Sequence, residues 1–122
     1  MTNPFKDQEK FMRACDQSVD GHNSEQFKLY YDLIAEEFGE LNAAVISGDK
    51  VEQLDALLDI LVVTIGAIHS MGADGEGGWK EVMRTNFAKI DRTTGKVRKR
   101  EDGKVLKPLG WTPPDLNPFV KK

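Results

Sequence analysis

Glutamates 36, 37 and 40, in the run AEEFGEL, and acidic residues 52, 55 and 59, in EQLDALLDILVV, are the side chains in this sequence best suited to chemistry. Residues three or four apart on a helix share a face about one turn apart, so Glu37 with Glu40 and Asp55 with Asp59 each form a carboxylate pair. Around the helix axis, Glu52, Asp55 and Asp59 fall in one sector about 60° wide. Asp59 is the most telling, because it stands among Ile60, Val62 and Val63. A carboxylate buried there without a partner costs several kcal/mol, so it must be paired, protonated or bound to a cation. No Lys or Arg occurs between Lys28 and Lys50 or between Lys50 and Lys80. A hard divalent cation is the remaining partner: Mg²⁺ takes oxygen ligands and commonly shares them with substrate phosphates. Two competing readings are an ordinary solvated acidic face and a di-iron carboxylate bundle. The bundle needs Glu-x-x-His pairs, and neither His22 nor His69 follows a Glu by three.

The elements that must carry these residues are helical. Phe5, Phe11, Met12 and Cys15 recur near helical spacing behind Pro4, predicting a first helix over about 4–19. Phe27, Tyr30, Ile34, Phe38, Leu41 and Val45 mark one face of a second helix over 25–47, with Ser24 as its expected N-cap. Gly48 and Asp49 suit a C-cap followed at once by an N-cap, and the third helix is expected over 50–71. So short a connection implies antiparallel packing. The third helix is apolar in nearly every direction and is therefore expected to be enclosed by neighbours. The Gly-rich GADGEGG reads as a connector, because it lacks the form of a phosphate-cradling loop. A fourth helix is expected over 77–91, with Asn86 and Lys89 three apart upon it. The tail, 92–122, is helix-poor, and EDG between KVRKR and KVLK suggests a small β-hairpin.

The 122 residues fit one domain, 39% hydrophobic and 30% charged, which is globular composition. No apolar run is long enough to span a bilayer, so no membrane partner is expected. The start has no basic segment followed by an apolar one, and the single Cys15 excludes an internal disulfide; a cytoplasmic location is the expectation. Residues 1–79 hold 5 basic and 15 acidic side chains, whereas residues 80–122 hold 12 and 5. A basic half of this kind suits either nucleic acid or a small polyanion beside an acidic, metal-loaded pocket.

EEFGE followed on the next helix by EQLDALLDILV resembles the all-α nucleoside triphosphate pyrophosphohydrolase superfamily, the MazG-like and dimeric dUTPase group that includes phosphoribosyl-ATP pyrophosphohydrolase. VMRTNFAKID and REDGKVLKPLGWTPPDL are similar to the C-terminal part of its phosphoribosyl-ATP pyrophosphohydrolase-like subset. The resemblance covers roughly residues 25–116 and implies a four-helix MazG-like bundle with an irregular tail. It implies metal ligation by Glu37, Glu40 and Asp59. Where the family has Glu three before its aspartate this chain has Ala56, so Asp55 takes the third place, with Glu52 and Glu36 in reserve. Glu36 or Glu40 would act as general base. Asn86 and Lys89 match the family's phosphate contacts, with Arg92, Arg84 and Lys28 as further candidates.

The activity implied is Mg²⁺-dependent cleavage of a nucleoside triphosphate to the monophosphate and pyrophosphate, with Mn²⁺ as a possible substitute. Alternatives are phosphoribosyl-ATP as substrate, or a non-enzymatic helical module that binds through its basic tail. A homodimer or dimer of dimers is expected, and nucleic acid is not expected as a partner. Phe11, Phe27, Tyr30, Tyr31 and Trp79 are the aromatic candidates for stacking on a base.

Overall fold

A computed structural model describes residues 3–120. Among them are four α-helices, α1 (Pro4–Ala14), α2 (Ser24–Ser47), α3 (Lys50–Ser70) and α4 (Gly75–Phe87), a short 3₁₀ turn at Asn117–Phe119, two isolated antiparallel bridges, and no strand. The fold is all-α, as the periodicities require. No single helix among these residues is long and apolar enough to cross a membrane. The chain divides into two compact units, one reaching Gly75 together with Val120 and the other Glu76–Phe119.

In the first unit, the Asn3 side chain accepts the amides of Phe5 and Lys6, and Pro4 fills the first helical position of α1. The helix stops at Ala14, short of the expected residue 19. Asp16 adopts φ +59°, and the Gln17 amide returns to the Met12 carbonyl at 2.9 Å. Glycine usually takes that left-handed place, and aspartate, one of the few other residues that tolerate it, hides the stop signal. The inward face is Gln8 and Met12; Phe11 and Cys15 point outward, contrary to expectation.

Asn23, rather than Ser24, caps α2 by accepting the Gln26 amide. Gly48 closes α2 at φ +72°, and the Asp49 side chain accepts the Glu52 amide to start α3. Contacts at both ends make the pair antiparallel. Asn23 N–H donates to the Ser70 carbonyl at 2.8 Å, while Gln53 Nε2 donates to the Ala44 carbonyl at 3.2 Å. Gly66 permits the close crossing, because a Cβ there would enter the Tyr30 ring.

The core sits at the end of this hairpin away from its turn, where Met12, Val19, Tyr30, Val63 and Ala67 are buried with Phe27, Leu33 and Ile34 against them. Ser70, fully buried, donates to the Gly66 carbonyl and accepts from Gln26 Nε2. Toward the turn, burial fails. Val51, Leu54, Leu57 and Leu58 of α3 are each more than half exposed, as are Phe38 and Val45 of α2. The expected enclosure of α3 is therefore met only in its C-terminal half.

Gly75, expected within the connector, starts α4, two residues before the expected beginning of that helix. A Cβ at Gly75 would stand 2.7 Å from the Phe5 ring, so a glycine starts that helix. In the second unit α4 ends at Phe87 rather than near 91. Asp91 accepts the amides of Thr93 and Thr94 and so bends the chain into the Ile90–Val97 bridge. The tail hairpin is present in minimal form as the Lys99–Val105 bridge, with Gly103 at φ +88° in its turn. Trp111 Nε1–H donates to the Thr85 carbonyl at 2.7 Å, and the Asp115 amide donates to Glu81, tying the tail to α4.

Candidate active site

Within the first unit, antiparallel packing sets the middle of α2 against the first half of α3, and so sets one acidic pair against the other. Glu37 feels the charges of Glu40, Asp59 and Glu36; Asp59 feels those of Asp55 and Glu40. Four carboxylates from two helices thus share one electrostatic site. Glu36 is exposed at its edge. Glu52 lines, with Glu40, Asp55 and Ala56, a cleft of about 600 Å³ between the two helices toward their turn. Between the two candidates for the third acidic position, Asp55 is the one whose charge acts on Asp59.

Burial, followed by the side-chain hydrogen bonding and charge of Glu40, pushes the Glu37 carboxyl up to about 7. Glu37 Oε2 is buried with no hydrogen-bond partner. Burial also raises Asp59, with Asp55 and Glu40 adding repulsion. None of the six carboxylates forms an ion pair with a Lys or Arg among the described residues. An all-oxygen donor set, an orphaned buried oxygen and the lack of a neutralising side chain fit a hard divalent cation. As the side chains stand, no group of three among the described residues converges on one ion position. Drawing the long glutamates together takes rotamer changes, which staggered wells make accessible.

In the second unit, Lys89 lies beyond α4 rather than upon it. A tightened turn, with the Lys89 amide on the Asn86 carbonyl at 3.1 Å, nevertheless brings Lys89 Nζ to Asn86 Oδ1 at 3.0 Å. Arg92 is exposed in the following turn. Arg84 and Lys28 are engaged elsewhere: Arg84 grips Glu81 through two nitrogens, and Lys28 pairs with Asp32. Glu81, held by Arg84 and by the Asp115 amide, falls to about 2.

Among the aromatic candidates, Tyr30 is withdrawn into the core, its hydroxyl donating to Gln17 Oε1 at 2.6 Å, and Phe27 packs against that core. Tyr31, Phe11 and Trp79 remain exposed. His69 is buried with Nε2 2.8 Å from the Phe5 carbonyl, a structural role that fits its place at the end of α3. Sequence reasoning passed over Lys107, whose Nζ stands 4.7 Å from the centre of the Trp111 ring. The available signal was the KPLGW run, which places a cation and an aromatic four residues apart.

A protein-family model described as phosphoribosyl-ATP pyrophosphohydrolase matches residues 7–86, a span that holds all six acidic residues and Asn86. No curated protein matches the chain.

Proposed function

Because this chain belongs to the phosphoribosyl-ATP pyrophosphohydrolase family, within the MazG-like all-α superfamily, and is thereby a pyrophosphohydrolase acting on a nucleotide, we propose that it hydrolyses a nucleoside triphosphate to the monophosphate and pyrophosphate in a divalent-cation-dependent reaction. The observation that carries this reading is the set of four mutually repelling carboxylates across α2 and α3, with one buried oxygen unpartnered.

Glu37, Glu40, Asp55 and Asp59 would hold Mg²⁺, or Mn²⁺ in its place, with Glu52 and Glu36 at the margin. Bound there, the cation supplies charge neutralisation at phosphate oxygens and lowers the pKa of water. Glu36 or Glu40, both exposed, would accept the proton of attacking water. Asn86 and Lys89 present an amide and an ammonium suited to phosphate oxygens. Catalysis of this kind rests on positioning and electrostatics rather than on a protein nucleophile.

A second substrate, phosphoribosyl-ATP, is favoured by the description of the matched family. The chemistry is the same cleavage, releasing pyrophosphate. The exposed apolar surface near the α2–α3 turn, including Leu54, Leu57, Leu58 and Phe38, supports assembly as a homodimer or dimer of dimers, since a second copy would cover it.

Canonical, deoxy and modified nucleoside triphosphates, together with phosphoribosyl-ATP, test these readings when incubated with the protein plus Mg²⁺ or EDTA. Pyrophosphate release that stops in EDTA is expected, and the best substrate decides between the two. No pyrophosphate from any member of the panel, with no thermal shift on adding Mg²⁺ or Mn²⁺, would refute both.

A further inference from the structure

The tail of the second unit brings two lysine ammonium groups to one aromatic ring. Trp111 is anchored through its indole N–H to the carbonyl of Thr85, which is 2% exposed. Two ammonium groups meet this fixed ring: Lys89 Nζ lies 5.3 Å and Lys107 Nζ 4.7 Å from its centre. Lys89 is also held by Asn86 Oδ1. Neither lysine pairs with a carboxylate among the described residues. The ring's π-face attracts each cation, but it carries no net charge and leaves both positive charges uncompensated. Solvated lysines elsewhere in the tail, such as Lys104, have no such fixed support.

We propose that Lys107, positioned by Trp111, completes with Lys89 and Asn86 a binding site for a phosphate chain. Trp111 is a positioning residue: its anchored ring holds Lys89 Nζ at 5.3 Å and Lys107 Nζ at 4.7 Å from its centre before the ligand arrives, so less side-chain entropy is lost on binding. The amide of Asn86 adds a neutral donor to the two charged ones. The ligand class is a di- or triphosphate, either inorganic pyrophosphate or the phosphate chain of a nucleotide. This rests on the proposed role of Asn86 and Lys89 as phosphate contacts and extends it to a residue 18 positions further along the chain.

Calorimetric titration of the full chain with inorganic pyrophosphate in EDTA tests the site without requiring turnover or metal. Lys107→Ala should weaken binding by about tenfold or more, the usual effect of removing a charge-assisted hydrogen bond. Lys107→Arg should retain most of the affinity, and Trp111→Leu should lose it, while Lys104→Ala removes an equal charge with little effect. Equal losses for Lys104→Ala and Lys107→Ala would reduce the site to diffuse basic charge and overturn the proposal, as would absence of pyrophosphate binding. If the wild-type protein turns over nucleotides but its pyrophosphate affinity is indifferent to Lys107, this inference fails and the proposed activity stands. If Lys107-dependent binding is found in a protein that cleaves no nucleotide, the inference stands alone. Nucleotide KM, rising in Lys107→Ala with kcat little changed, separates the nucleotide chain from free pyrophosphate as the ligand.

Discussion

Replacing Glu37 by Gln should stabilise the metal-free protein at alkaline pH while weakening its response to divalent cations. Glutamine has the shape of a protonated glutamic acid, and protonation is what the site favours: the folded carboxyl is raised from 4.5 to about 7. The sign follows from linkage. Below about pH 4.5 both folded and unfolded chains keep this proton. Between there and about pH 7 the unfolded chain releases it while the folded chain retains it, so stability falls as pH rises. Asp59, raised by its own burial and by Asp55, acts in the same direction. Full conversion of the Glu37 shift would be worth about 3 kcal/mol. The side chain is only half buried, and solvent screening reduces this to about 1 kcal/mol, or about 3–5 °C in Tm for a chain of this size. The assay is thermal unfolding in EDTA at pH 5 and pH 8. Wild type and Glu37→Gln should coincide at pH 5, and the variant should melt higher at pH 8. Added Mg²⁺ or Mn²⁺ should raise the wild-type Tm more than that of the variant. A variant that melts lower at both pH values would refute the account, because it would show that the ionised group makes a stabilising contact.

Gly66→Ala should destabilise by about 1–3 kcal/mol in urea unfolding, since its Cβ would overlap the Tyr30 ring across the α2–α3 crossing. Asn23→Ala, which removes the cap on α2, should cost about 1 kcal/mol by the same measurement. Asp59→Asn should abolish pyrophosphate release without lowering apo stability, because it removes a charge that repels Asp55 and Glu40; a marked drop in Tm would instead show a structural ion pair. Leu58→Glu, on the exposed face of α3, should shift the protein toward monomer in sedimentation analysis, and an unchanged mass would exclude that face from the interface.

The parts of this molecule legible in its sequence are those written in local chemistry. Gly48 and Asp49 specify the end of one helix and the start of the next, and the short connection fixes an antiparallel pair that faces Glu37 and Glu40 toward Asp55 and Asp59. Where local signals are ambiguous, geometry decides. Asp16 closes α1 without the usual glycine, and Gly75, whose composition suggests a loop, begins a helix because the Phe5 ring needs the space. Helical spacing alone also does not show which side chains a partial neighbour covers, so Phe11 and Met12, adjacent in sequence, end on opposite sides of the core boundary. The Trp111 anchor spans 26 residues to Thr85 and belongs to no periodic pattern. Its detection required the fold.

The two ties of the tail to α4, at Trp111 and Asp115, both lie after the basic hairpin. The hairpin between Lys96 and Lys107 is thus a closed excursion whose ends are held independently of its tip. A tryptic cut after Arg98 or Arg100 leaves both of these hydrogen bonds in the C-terminal fragment, and a tag or peptide inserted at the exposed Glu101–Gly103 lies outside the segment that they tie to α4. The tip is therefore the place where added length leaves both ties of the tail to α4 intact.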